Sequence, residues 1–88
     1  MEEKEVGKKY WEYVTMTVLK DRIKIKFNIK EEADRFVLEM RKILSEEAFD
    51  SMEKKEKEKS TNVWMSLKTT TTPEIAKAID WIVTMLNS

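Results

Sequence analysis

The side chains able to do chemistry in this 88-residue chain are carboxylates, hydroxyls, lysines and tryptophans, because cysteine and histidine are both absent. Disulfides, thiol nucleophiles, imidazole acid–base catalysis and Cys/His zinc sites are excluded at once. Gly7 is the only glycine, so no glycine-rich phosphate loop exists. Ser45, Ser51, Ser60, Ser66 and Ser88 have no histidine to activate them, and none sits in a Gly-x-Ser-x-Gly elbow. Two carboxylate groups remain, Glu31/Glu32/Asp34 and Glu46/Glu47/Asp50. They are candidates for Mg²⁺ or Ca²⁺, but they lack the loop spacing of a dedicated cation site and read as a solvated helix terminus and helix face. No catalytic residue, metal or cofactor is expected. The chain reads as a module that binds, not as an enzyme.

Two patterns point to binding. Lys20, Arg22, Lys24, Lys26 and Lys30 fall at even positions, which puts most of them on one face of a strand. Arg22, Lys24 and Lys26 are the candidate nucleic-acid contacts, with Trp64 on a neighbouring strand able to stack on a base. The second pattern is in the last helix, where nine of the fourteen residues from Pro73 to Leu86 are apolar. That exceeds the roughly 100° stripe a helix needs to lie on a sheet. Trp81 and Met85 are surplus to such a stripe, and large side chains of this kind are favoured at interfaces. Trp64, Met65, Trp81, Ile82 and Met85 are the predicted partner-binding residues.

The elements that must position these residues follow from periodicity. Residues 1–9 are polar and predicted to be disordered. Tyr10 to Leu19 is rich in β-branched and aromatic residues, with Tyr10, Val14, Met16 and Val18 on one face, interrupted by Glu12. Lys20-Asp21 is the expected turn. Ile23, Ile25, Phe27 and Ile29 then alternate with Arg22, Lys24, Lys26 and Asn28, the pattern of a half-buried strand.

A helix follows, begun after Asn28 or Lys30 and carrying the stripe Ala33, Phe36, Val37, Met40, Ile43, Leu44, Ala48 and Met52. The wholly charged run of residues 53–59 fits a solvated helix end, an exposed strand or a loop. Ser60-Thr61-Asn62 punctuates the chain before a strand at Val63, Met65 and Leu67. Thr72 is the expected N-cap and Pro73 the first residue of the last helix. The expected architecture is α+β: one domain over residues 1–88, a small and mostly antiparallel sheet with two helices on one face, in the order β-β-α-(β)-β-α.

Composition bounds the setting. Lys+Arg and Asp+Glu are both 17, a net charge of zero on a chain that is 39% charged. A protein devoted to a polyanion would show a basic excess, so any nucleic-acid contact is expected to be weak or indirect. No apolar run approaches the ~20 residues of a membrane span. The opening Met1-Glu2-Glu3-Lys4-Glu5 is acidic where a secretory leader is basic. The expected location is the cytoplasm. Lysine and glutamate supply 27 of the 88 residues, a bias that fits hyperthermophile proteins.

The stretch from about Phe27 to Leu86 resembles the small dimerisation subunit of KEOPS (the Pcc/CTAG family), the complex that installs threonylcarbamoyl-adenosine on tRNA. The residues that carry the likeness are Ile25-Lys26-Phe27-Asn28-Ile29, then Glu31-Glu32-Ala33-Asp34-Arg35-Phe36-Val37. They end with Val63-Trp64-Met65-Ser66-Leu67-Lys68, the threonine run Thr69–Thr72, and Pro73-Glu74-Ile75. The resemblance implies a strand, a helix, a strand pair, a short polar turn and a final helix. It also implies a non-catalytic accessory role in a tRNA-modifying complex, with an archaeal source.

Three departures accompany it. The strand pair requires Met52 to Lys59 to include a strand, although that run is fully charged after Met52. The final helix opens Ile75-Ala76-Lys77 where the family has a Leu-Arg pair that helps engage the transferase subunit. The Tyr10–Leu19 segment is extra. These departures imply a divergent paralogue. Its expected partner is the standard small subunit, bound as a heterodimer through a sheet edge, or a second copy of itself as a homodimer.

Overall fold

Strand β3 (Arg22–Phe27) shows how this sequence builds its sheet. Ile23, Ile25 and Phe27 are buried, while Arg22, Lys24 and Lys26 on the opposite face are half-buried or exposed. The computed structural model describes residues 5–10 and 14–86. In it β3 is the middle strand of a five-stranded antiparallel sheet ordered β1-β2-β3-β5-β4. The others are β1 (Glu5–Tyr10), β2 (Val14–Leu19), β4 (Glu53–Glu56) and β5 (Thr61–Ser66). Three helices complete the fold: α1 (Lys30–Ile43), α2 (Glu46–Asp50) and α3 (Thr72–Leu86). The α+β class, the mostly antiparallel sheet and the packing of helices against it are as the sequence predicts.

The core lies between the helices and one face of the sheet. The sheet contributes Val14, Met16, Ile23, Ile25, Phe27, Val63 and Met65, and the helices contribute Ala33, Phe36, Met40, Ala48, Ala78 and Ile82. Register puts the inward residues side by side: Val14 opposite Phe27, Met16 opposite Ile25, and Ile25 opposite Val63. Phe27 of the sheet and Phe36 of α1 meet with ring centroids 5.3 Å apart and planes tilted by 43°. Such a pair adds about 0.5–1.5 kcal/mol beyond the area it buries.

The structure corrects several expectations. Residues 5–9, expected to be disordered, form β1 with Tyr10 and pair along β2 from Glu5↔Leu19 to Tyr10↔Thr15. The pairing is made by backbone groups, which a polar sequence offers as well as an apolar one. Tyr10 therefore belongs to β1 and not to the strand of Val14. Residues 1–4 and Glu12 lie outside the described residues.

The single apolar stripe from Ala33 to Met52 is two helices. Leu44 and Ser45 take extended backbone angles, and the Ser45 side chain accepts a hydrogen bond from the Ala48 N–H at 3.2 Å. This serine cap starts α2 anew. Met52 falls after α2. The first helix starts one residue away from both expected caps, at Ile29, with no side-chain cap.

Of the three states open to residues 53–59, the structure adopts strand for Glu53–Glu56, exposed at every position and paired to β5. Edge strands that are short and charged expose their backbone without inviting aggregation. Ser60-Thr61-Asn62, expected as punctuation, is buried, and β5 already begins at Thr61 opposite Phe27.

Candidate functional site

Two turns fix the face opposite the helices. The Lys20-Asp21 turn joins β2 to β3 without any residue at positive φ among the described residues, so it is not one of the primed hairpin turns. It is held instead by the Asp21 carbonyl, which accepts from the Leu67 N–H at 3.0 Å. At the other turn the Lys57 N–H donates to the Ser60 carbonyl at 2.7 Å and sets β4 against β5.

The resulting register brings the predicted nucleic-acid contacts together with one predicted aromatic. Trp64 lies between Lys24 of β3 and Glu53 of β4, and Arg22 lies beside Ser66. The Arg22 guanidinium is 5.6 Å from the Trp64 ring centroid and its Nη1 is 3.8 Å from Glu53 Oε2. Arg22 thereby holds the indole in place from above. An open groove of about 190 Å³ runs beside this pair toward Asp21, Ser51 and Lys68.

One strand position further, Asn62 lies between Lys26 and Lys55. Its side chain is only 3% exposed, and its Oδ1 has no hydrogen-bond partner among the described residues. Sequence reading missed both Asn62 and Lys55. The signal was present, because extending the alternation of Val63, Met65 and Leu67 back by one step puts Asn62 on the face of Trp64.

The predicted partner-binding set divides. Met65 and Ile82 are 1% and 0% exposed. They are core residues and present nothing to a partner in this fold. Their positions follow from register: Met65 faces Ile23 on the inward side of the sheet, and Ile82 lies on the buried stripe of α3 with Ala78. Trp81 is half-buried and packs on Phe36, centroids 5.7 Å apart, and Met85 is half-buried against the same core. Trp64 is on the other side of the sheet from both. The excess apolar width of α3 is taken up by α1 as well as by the sheet.

Electrostatics elsewhere are local. Glu74 joins two helix starts: its Oε1 accepts from the Thr71 N–H at 2.9 Å and its Oε2 from the Ser45 N–H at 2.6 Å. Thr71 Oγ1 is 3.4 Å from the Glu74 N–H. The N-cap of α3 is thus Thr71, in a capping box with Glu74, and not Thr72. The Thr71 amide, and then that of Ser45, hold the Glu74 carboxyl below its ordinary range.

Lys54 reaches back to Asp34 at 2.7 Å and to Glu56 at 3.5 Å. The hydrogen bond to Asp34 raises its pKa against an opposing desolvation. Asp34 of the first carboxylate group is therefore an ion-pair partner for β4. Among the described residues, no three acidic side chains converge where they could hold a metal ion, and no helix is long and apolar enough to cross a membrane.

No protein-family model, curated protein or solved structure matches this chain.

Proposed function

We propose that this protein is a non-catalytic accessory subunit of a KEOPS-like tRNA-modifying complex, and that it pairs with the small subunit of that complex through a sheet edge. The observation that carries this reading is β4. The resemblance requires a strand pair before the polar turn and the final helix, and the charged run at Glu53–Glu56 supplies it by pairing with β5. The chain then reads strand, helix, strand pair, turn and helix from β3 to α3, with the short α2 interposed.

Charge favours a different partner over a second copy. The edge reads Glu53-Lys54-Lys55-Glu56. Centred antiparallel pairing of this edge with itself sets Glu opposite Glu and Lys opposite Lys, and like charges directly opposite are destabilising. A partner strand of another sequence avoids that cost.

The test is to mix the purified protein with the purified small KEOPS subunit and measure mass by light scattering during gel filtration. A one-to-one species that replaces the small subunit's own dimer is the expected result. Two unmixed species would end the subunit reading. Capture of the tagged protein from its host should also recover the transferase and kinase subunits.

A further inference from the structure

The face of the sheet opposite the helices has features that subunit pairing through an edge does not use. Lys24 and Lys26 lie on β3, the middle strand of the five. Lysines on an edge strand guard against aggregation, but a middle strand has no edge to guard. They stand two residue rises apart, about 6.6 Å. Lys55 joins them across Asn62. Among the described residues none of the three is in an ion pair. What sets them apart is their place: three cations without a carboxylate partner share the face of an indole that Arg22 and Glu53 hold in place.

We propose that this face binds single-stranded nucleic acid. Lys24, Lys26 and Lys55 meet phosphates, Trp64 and the guanidinium over it stack on a base, and Asn62 Oδ1 accepts a hydrogen bond from a base amino group or a ribose hydroxyl. The indole beside the lysines separates this occupant from an acidic peptide, and the asparagine asks for a donor as well. Its carbonyl oxygen is buried and has no hydrogen-bond partner among the described residues, so it needs a donor. Nucleotides bring phosphate acceptors and amino or hydroxyl donors together with a base face that can stack on Trp64, which an acidic peptide's carboxylates and backbone N–H groups do not supply. Lys26 and Lys55 are exposed and flank it in register, so a phosphate on either ammonium lies next to the asparagine. The proposal does not depend on the subunit reading.

The test is fluorescence anisotropy of labelled 12-nucleotide cytidine oligomers, in ribo and deoxyribo forms, titrated with the full chain. Three phosphate contacts on a single strand predict a log–log salt slope of about −2, so binding weakens roughly twentyfold between 50 and 200 mM salt. Lys24→Glu with Lys26→Glu should weaken binding more than tenfold and flatten that slope. Lys42→Glu with Lys77→Glu, an equal charge change on the helices, should leave binding near that of the unaltered protein. Trp64→Ala should lose about tenfold, with Trp64→Phe recovering part of it.

Thermal melts confirm that each variant is folded. Tighter binding of the ribo oligomer assigns the Asn62 donor to the ribose; equal binding assigns it to the base. The proposal is overturned if neither oligomer binds at 50 mM salt, if both charge reversals act alike, or if an oligoglutamate of equal charge binds as tightly.

Discussion

The two faces of the central sheet are made from the same strands and differ in nearly every physical respect. On β3 the inward residues Ile23, Ile25 and Phe27 are at most 4% exposed and are sealed in the core that this face forms with the helices. The outward residues Arg22, Lys24 and Lys26 keep their charge at the surface. The strand's period of two lets one six-residue segment present an apolar face and a charged face without compromise, because neighbouring positions never share an environment. Substitutions on one face should read out as stability and those on the other as binding.

The largest break in that contrast is Phe27→Ala. It empties a fully buried site that also holds one half of the Phe27–Phe36 contact, and should cost about 3–5 kcal/mol in denaturant unfolding. For a domain this small that is a large share of its total stability. Its sequence neighbour Lys26→Ala, on the exposed side, should stay within about 0.5 kcal/mol. Similar losses from both would show that the outward face carries packing the structure does not assign to it.

A smaller effect is expected where the helices are tied together. Thr71→Ala removes the α3 cap and should cost about 1 kcal/mol. Glu74 adds a pH dependence. Because its folded pKa is depressed, its contribution is present above its unfolded value near 4.5 and is lost as pH falls through the lower folded value. Glu74→Gln should therefore flatten the stability curve on the acid side of pH 4.5. A curve with the same acid limb in both proteins would show that the bridge to Ser45 and Thr71 does not persist in solution.

How much of this was legible depended on whether a segment's own pattern settled its partner. The β3 alternation is settled by its own residues, and so are the buried face of α1 and the end-to-end apolar run of α3. The segments misread were those fixed by distant groups. β1 has no pattern of its own and is ordered by the open edge of β2. β4 is ordered by β5, with Asp34 and Arg22 reaching it from elsewhere in the chain. Ile82 reads as a partner contact because α3 has more apolar width than a sheet can cover, and the contact of α3 with α1 is not visible in a single helix; Met65 is buried instead by its register opposite Ile23. The T-x-x-E box at Thr71 was legible and was displaced by one residue because Pro73 drew the start toward Thr72. On the outward face, the row of cations and the face of Asn62 could be read directly. The burial of Asn62 could not, because it lies beside a strand whose existence the sequence left open.

The smallest effect expected is at β4, where the two faces meet at an edge. Lys54 turns toward the helices and holds Asp34, while Lys55, its neighbour, turns to the opposite face. Asp34→Asn removes a pair in which both side chains remain more than a third exposed to water, so it should cost no more than about 0.5 kcal/mol, and less at high salt. The raised pKa of Lys54 means that this contribution is present in full below its ordinary value of 10.5 and disappears only as pH rises above it. Hydrogen exchange of the β4 amides is the sharper measurement, because the pair tethers this one strand to α1. Asp34→Asn should speed exchange in β4 and leave β3 unchanged. Faster exchange across both strands would mean that the charged edge and the packed middle open as one unit, and that the edge is not separately available to a partner strand.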